Sequence, residues 1–472
     1  MKKSLAIDMG ATSIRAILGY IDNGQLITEE VMRFNHEIKD INGRKQWDFD
    51  AMISKIENTI LKYKDEISTI GVDTWGVDFG LIDKNGLLVY NPTSYRDESC
   101  EIGFKSIKEK IDFNKLFENT GNQIMSINTL FQLETVKLTN KAYYEKAEKL
   151  LMTPDFINYL LTGKKYGERT ICSTSQMFDL EKGEWNKNLV ENLGLNKDLL
   201  PEIINNKIVI GSTRNSLIDS LRDLDIEVIS VASHDTASAV YVTESYNDED
   251  CLFLSSGTWS LIGCCNQKPI LTDQAYNYSL TNETGYDNKN MFFKNVTGLY
   301  LIEKLRDSLV KEDKSKFSFD EITKLVEKSS ISDECIIDVD YDVFTKESDN
   351  FIEDLDKYFK EKHNLAIENK KDYFKIIYQS IVANYKEVVK NIESCLGKKF
   401  TRIHVMGGGS QSKVLCQMIA DKLNIKVIAG PKEATAIGNI LAQLEYKNEK
   451  ENIRKIVTDG FETITYLPNK NN

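Results

Sequence analysis

Leu5-Ala6-Ile7-Asp8-Met9-Gly10-Ala11-Thr12-Ser13-Ile14-Arg15-Ala16-Ile17-Leu18 runs from an apolar strand through a turn of small residues into a second apolar strand, and this stretch decides the fold. It predicts a hairpin over residues 5–21 with a polar tip. The pattern returns at Cys251-Leu252-Phe253-Leu254-Ser255-Ser256-Gly257-Thr258-Trp259-Ser260-Leu261-Ile262-Gly263. The repeat is one of structure and not of wording, so the chain reads as two halves of related architecture. The polar run Glu244 to Asp250 separates them, giving expected domains 1–243 and 244–472.

The rest of the chain fits an α/β reading. Strands are expected at Ile67 to Val72, Phe79 to Ile82, Ile226 to Ala232, Phe400 to Met406 and Lys426 to Ala429. Helical spacing covers Thr129 to Leu138, Pro154 to Leu161, a stretch beginning at Ala237, Tyr373 to Leu396, Gln411 to Leu423 and Ala434 to Leu444. The charged segment 306–371 reads as surface helices and loops.

Composition narrows the function. The 472 residues are 41% apolar and 28% charged, an ordinary globular balance. Asp and Glu exceed Lys and Arg by 72 to 60, and a net charge of −12 has the wrong sign for a phosphate backbone or an anionic membrane. No nucleic-acid or membrane partner is expected. The opening Met1-Lys2-Lys3 is followed by an apolar run that Asp8 breaks before a signal-peptide core forms. No segment approaches the ~18 apolar residues that span a bilayer. Eight scattered cysteines without CxxC spacing argue against disulfides and a zinc site, and four histidines against a nitrogen-rich metal cage. A cytoplasmic chain with reduced thiols is expected, as monomer or homodimer, with Cys264-Cys265 as strand packing.

Neither GxxxxGK[ST] nor GxGxxG occurs, so a nucleotide must be held another way. Small-residue turns at Gly10 to Ser13 and Ser256 to Thr258 present N–H and hydroxyl donors that a phosphate can approach, and each serves equally as a plain tight turn. Asp8, at the end of an apolar strand, needs a partner: hydrated Mg²⁺, or hydrogen bonds in its own turn. Asp235, where a strand gives way to a helix, suits a helix N-cap or a general base. Asp73, Trp75, Asp78, Arg96 and Asp97 form a polar cluster with an aromatic face, suited to a sugar or to a buried pair between Arg96 and an Asp. Gly407-Gly408-Gly409 after the strand ending at Met406 suits a flat ring lying on backbone, or a simple turn.

Together these residues resemble the FGGY carbohydrate kinases of the actin-like ATPase superfamily. The resemblance rests on Ala6-Ile7-Asp8-Met9-Gly10-Ala11-Thr12-Ser13, Gly71-Val72-Asp73-Thr74-Trp75-Gly76-Val77-Asp78-Phe79-Gly80, Tyr95-Arg96-Asp97, Met152-Thr153-Pro154-Asp155-Phe156, Val231-Ala232-Ser233-His234-Asp235-Thr236-Ala237-Ser238-Ala239-Val240, Leu254-Ser255-Ser256-Gly257-Thr258-Trp259-Ser260-Leu261 and Val427-Ile428-Ala429-Gly430-Pro431-Lys432-Glu433-Ala434. It implies an α/β fold of two ribonuclease-H-like domains with an interdomain active-site cleft, the first holding sugar and catalytic base, the second nucleotide. It implies ATP-dependent phosphorylation of a ketose at a primary hydroxyl. L-rhamnulose at C1 comes first; another ketose such as L-fuculose, or a non-catalytic sugar and ATP sensor on the same fold, are the alternatives.

Carried onto this chain, the resemblance makes Asp235 the proton acceptor and places Gly76, His234, Asp235, Thr236 and Asn295 at the sugar. Ala11, Thr12, Ser13, Ile14, Arg15, Thr258, Glu303 and Gly408 fall at ATP, and Asp8 engages Mg²⁺ through water. The chain departs from the pattern at Ile14, where Gly is common, at Ser412, where Asn follows Ser-Gln, and at Glu303, where Gln is usual. The last adds negative charge beside a nucleotide, which implies weak ATP affinity or another pairing partner for the carboxylate.

Overall fold

Strand β1 (Lys3–Met9) is buried along nearly its whole length, as its unbroken apolar run requires of a strand with neighbours on both sides. The computed structural model describes residues 2–310, 317–345, 348, 350–447 and 452–469. β1 pairs antiparallel with β2 (Ser13–Asp22), whose own partner is β3 (Gln25–Asn35). Asn23 and Gly24, both at positive φ, make the two-residue turn between the last two. On its other side β1 lies parallel to β4 (Ile67–Thr74), followed by β5 (Ile208–Ser212) and β6 (Glu227–Ser230) in the sheet order β5-β6-β4-β1-β2-β3. β3 at the edge has only exposed and half-buried residues and buries none fully, as an uncovered edge should.

The second half repeats this order. β7 (Cys251–Ser256) and β8 (Trp259–Asn266) form the second hairpin. With β9 (Asn290–Thr297), β10 (Arg402–Met406), β11 (Lys426–Ala429) and β12 (Ile464–Tyr466) they follow the order β9-β8-β7-β10-β11-β12, and a further strand, Thr281–Thr284, adds to the outer side of β9. β7 is parallel to β10, β10 to β11, and β12 returns antiparallel, as β5 does against β6. The α/β reading and the inferred duplication are therefore both present in the structure, as two sheets with one strand order. The vicinal Cys264 and Cys265 lie buried on β8, and all eight cysteines are free thiols.

By contacts the chain divides into two compact units, each drawing on more than one stretch of sequence. One comprises 1–246, 265–292 and 434–461, the other 247–264, 293–433 and 462–472. Helix α2 (Ala434–Lys447) explains one of these stretches, because it packs on α1 (Asp235–Tyr241) inside the first unit through small residues. A Cβ on Gly438 would lie 1.9 Å from the Ser238 carbonyl oxygen, so only glycine permits that approach.

Several boundaries shift for local reasons. α1 begins at Asp235, two residues before the small-residue stretch suggests, with His234 at the N-cap. A short 3₁₀ turn, Gly408–Gln411, precedes the helix Lys413–Leu423, which Ser412 caps by accepting the Leu415 N–H. Segment 306–371 is more than surface structure. Helices Phe319–Lys328 and Phe351–His363 bury Ile322, Val326, Phe351, Leu355, Tyr358 and Phe359, an apolar stripe that the dense charge obscures in sequence. Residues 311–316, 346, 347 and 349 of that segment lie outside the described residues. No described helix is long and apolar enough to cross a membrane.

Candidate active site

In the first unit the hairpin turn and the end of the next parallel strand put two acids side by side. Asp8 and Asp73 are register partners on β1 and β4, and both are buried. Across the hairpin Arg15 brings Nη2 to 2.8 Å from Asp8 Oδ2, so a guanidinium is an Asp8 partner that sequence reading did not consider. Asp73 Oδ2 accepts a 2.6 Å hydrogen bond from Asn439, whose own oxygen accepts from Gln443. Burial and the neighbouring charge of Asp8 push the Asp73 carboxyl well above its usual range, Asp235 adding to the effect. Ala11 and Ser13 are half-buried and Thr12 exposed at the tip, whereas the Ile14 side chain is fully buried in the core and can offer a ligand only its backbone. His36 Nε2 lies 2.9 Å from the Gly10 carbonyl, which makes Nε2 the protonated nitrogen and braces the turn.

Asp235 sits at the first position of α1, so the N-cap reading belongs to His234 instead. Its Oδ1 takes the Thr236 N–H at 2.6 Å, and the Asp235 side chain keeps 31% of its surface exposed. The loop that delivers it is tied from behind. Glu168 Oε2 accepts the N–H groups of Thr170, Ile171 and Ser233, and Thr170 Oγ1 accepts that of His234 at 3.1 Å. His234 places Nε2 3.5 Å from Asp235 Oδ1 and Nδ1 3.1 Å from Glu283 Oε2. Burial works against charge on this imidazole, but Glu283, with Asp235 and Glu168, more than offsets it and raises its pKa above the ordinary value.

Gly76 precedes Val77, a β-branched residue at φ +69°. Thr129 Oγ1 donates to the Val77 carbonyl at 2.6 Å and Val77 N–H donates to Thr174, which holds that conformation. Trp75 offers no open aromatic face: its ring is buried 4.3 Å from that of Trp47, and both indole N–H groups donate to Asp78 Oδ2. Gln132 donates to Asp78 Oδ1, yet burial still pushes this carboxyl up to about 6. The expected pairing of Arg96 is not formed. Asp97 meets Arg44 at 3.2 Å, and the exposed Arg96 side chain contacts Tyr95.

In the second unit Thr258 and Gly257 form the turn of the second hairpin, and their carbonyls accept the N–H groups of Tyr300 and Leu299 at the start of helix Tyr300–Leu309. Asn295 lies half-buried on β9. The three glycines after β10 differ. A Cβ on Gly409 would lie 2.1 Å from Ser256 Oγ and one on Gly407 3.0 Å from the Ser256 carbonyl, but one on exposed Gly408 would meet nothing closer than 4.0 Å. Gly408 therefore presents bare, open backbone. Glu303, the departure that adds charge, has both carboxylate oxygens on Arg306 Nη1 at 2.7 and 2.8 Å, so its charge is locally answered.

Sequence reading missed Glu168, Glu283, Asn439, His36 and Trp47. None stands in a recognisable motif, and the polar sequence neighbours of Glu168 and Glu283 give no sign that either acid is buried. Among the described residues no three His, Cys, Asp or Glu side chains converge to hold a metal directly. Asp8 lies beside Asp73, two buried oxygen-bearing acids with the Arg15 guanidinium on Asp8, and this all-oxygen set fits Mg²⁺ held through water.

Two α/β units of one strand order, each with a small-residue hairpin turn, and an acid at a helix start give the architecture of the actin-like ATPase phosphotransferases. The chain belongs to the FGGY family of carbohydrate kinases: the model of the N-terminal domain matches residues 4–241 and that of the C-terminal domain residues 252–444. It is therefore a sugar kinase. A rhamnulokinase of Oceanobacillus iheyensis is 36% identical over 98% of each chain, and one of Halalkalibacterium halodurans 35% identical over 99% of each. In structure the chain resembles a xylulose kinase of Lactobacillus acidophilus, with TM-score 0.81 at 16% identity over 99% of this chain and 94% of that one. It likewise resembles Plasmodium falciparum glycerol kinase, with TM-score 0.79 at 17% identity over the same shares.

Proposed function

We propose that this kinase transfers the γ-phosphoryl group of ATP to the C1 hydroxyl of L-rhamnulose, giving L-rhamnulose 1-phosphate in cytoplasmic rhamnose breakdown. The relatives of highest quoted identity carry the name rhamnulokinase across their full length, which supports this sugar over L-fuculose. The observation that carries the mechanism is the exposure of the acids. Asp8 and Asp73 are 1% and 0% exposed, while Asp235 alone of the three reaches solvent. Asp235 takes the hydroxyl proton as the sugar oxygen bonds to the γ-phosphorus and the bond to the β-phosphate bridging oxygen breaks, releasing ADP. Gly76, His234, Thr236 and Asn295 contact the sugar. Ala11, Thr12, Ser13, Arg15 and the Ile14 backbone hold phosphate with Thr258, Gly408 holds adenine, and the Arg306-paired Glu303 stands by the nucleoside. Asp8 holds Mg²⁺ through water, and the bound ion offsets phosphate charge. On this reading residues 1–243 are the sugar-binding domain with the base and 244–472 the nucleotide-binding domain, with Asn295 of the second reaching the sugar and Ala11 to Arg15 of the first the phosphates.

The test is initial-rate phosphorylation with ATP and Mg²⁺ over L-rhamnulose, L-fuculose, D-xylulose, glycerol and gluconate. L-rhamnulose is expected to give the highest kcat/KM, since a site built to pair each hydroxyl rejects sugars that leave its groups unpaired. A clear preference for another sugar rejects the assignment, and no turnover on any of them favours a sensor.

A further inference from the structure

We propose that Glu283 is a positioning residue for the sugar site, holding the His234 imidazole by Nδ1 so that Nε2 carries a proton toward the sugar hydroxyl beside Asp235. The inference rests on the sugar-kinase site assigned above and extends it to a strand, Thr281–Thr284, that the family motifs do not reach.

The geometry is a line of three groups. The Glu283 and His234 side chains are 8% and 7% exposed, so each must find its partners inside the protein. Besides His234, Glu283 meets Thr281 Oγ1 at 3.4 Å, a neutral contact that does not answer a buried carboxylate. His234 Nδ1, 3.1 Å from Glu283 Oε2, is the group that answers it, as a close ion pair and not an aligned hydrogen bond, and opposite an acceptor-only oxygen a protonated Nδ1 is favoured. Nε2 points the other way, 3.5 Å from Asp235 Oδ1, a gap wider than a good hydrogen bond and open on the Asp235 side. A neutral ring with Nδ1–H would turn its Nε2 lone pair on that carboxylate. The doubly protonated ring instead offers Nε2–H to Asp235 in the free enzyme and to a sugar oxygen when substrate is bound. The ring is faced by Glu283 from its strand, by Asp235 from α1 and by Glu168 from the supporting loop, with Thr170 binding its backbone. All three charged groups are acids, so the arrangement favours the imidazolium.

The chain has four histidines, which makes selective labelling decisive. In ¹⁵N-histidine NMR of the wild type the His234 ring should titrate above the ordinary ~6.5, with Nδ1 the last nitrogen to lose its proton. In Glu283→Gln, which keeps the shape but removes the charge, the titration should move to lower pH. Sugar kinetics supply the second readout. E283Q should raise the sugar KM about tenfold at a pH between the two measured titrations, where only the wild-type ring stays charged, and less below both, while kcat and the ATP KM hold within about twofold. In a His234→Asn background E283Q should add nothing further, because Glu283 acts through that ring. A wild-type His234 that titrates at or below the ordinary value overturns the proposal even if E283Q does not fold. So does an unchanged titration in E283Q, or an equal effect of E283Q with and without His234. The titration needs no substrate, so an enzyme inactive on every ketose would end the functional reading and leave Glu283 to be decided by the NMR.

Discussion

The two hairpins share a strand order and differ in what they carry. In the first, register places Asp8 opposite Arg15 and beside Asp73; in the second, the matching strand positions hold Ser255 opposite Leu261 and beside Met406. At these matched positions one copy of the sheet buries charge and the other does not. The second copy instead keeps neutral backbone close to its turn: Gly407 and Gly409 crowd Ser256, and Gly408 stays open. One scaffold can therefore divide a phosphoryl transfer, with proton and cation chemistry where acids meet and ring recognition where side chains are absent.

The comparison breaks most sharply at the base. Asp235→Asn keeps size and an acceptor for the Thr236 N–H, so a merely structural Asp235 would tolerate it. As the proton acceptor its loss should lower kcat by ~10²–10⁴, with sugar and ATP still bound and the melting temperature nearly unchanged. Near-wild-type turnover in D235N would remove the distinction between a chemical first unit and a binding second one. His234→Asn should cost less, since orienting a hydroxyl is more easily replaced than accepting its proton.

Next in size is steric. Gly409→Ala would put a methyl 2.1 Å from Ser256 Oγ, whereas Gly10→Ala in the first hairpin meets the Ser13 carbonyl at 3.3 Å. G409A should destabilise by about 1–3 kcal/mol, as overpacking does, and G10A by clearly less. Gly408→Ala, in open space, should leave the melting temperature alone and raise the ATP KM. Thermal unfolding of the three variants beside ATP titrations checks the set. Equal stability of G408A and G409A would show that the three glycines are one undifferentiated turn.

Asp78 sharpens the comparison through pH. Burial holds its carboxyl at about 6 in the folded protein, above the ordinary 3.8. A folded-state value above the unfolded one means that the proton favours the fold. The contribution is therefore complete below pH ~4 and is lost as pH rises through about 6. Asp78→Asn has no such proton. The difference in stability between D78N and wild type should move in favour of the variant between pH 4 and 7, by roughly 1–3 kcal/mol. A pH-independent difference by denaturant unfolding would contradict the buried-acid account.

The paired hairpins, their parallel third strands and the helix after Ser233 were legible because small-residue turns between apolar runs have few other meanings. Asp8, Asp235 and Gly408 were legible as candidates from the same punctuation. The partners were not. Glu283 reaches His234 from 49 positions further along the chain, and Asn439 reaches Asp73 from 366. No local pattern encodes contacts made by tertiary folding alone. Trp75 misled for the same reason, since its burial against Trp47 depends on a residue 28 positions earlier. The packing of α2, late in sequence, on α1 through Gly438 was likewise not legible, because that approach is visible only once both helices are placed.

The smallest expected effect concerns the one charge the second unit adds near its nucleotide residues. Read alone, Glu303 repels ATP and predicts weak affinity. Placed in its helix, it shares both oxygens with Arg306 one turn on, at 45% and 17% side-chain exposure, so the pair presents little net charge. An exposed pair of this spacing contributes only about 0.2–0.5 kcal/mol. Glu303→Gln should therefore change the ATP KM by less than about threefold and scarcely move stability. Arg306→Gln should act in the opposite sense, because it leaves Glu303 unanswered beside the nucleotide and should raise the ATP KM more than E303Q changes it. Measured at low and at high salt, the R306Q effect should shrink as screening grows. If E303Q improved ATP binding tenfold or more, the carboxylate would be acting as an unpaired charge, and the uncharged hairpin turn of the second unit would no longer stand alone as the counterpart of the first.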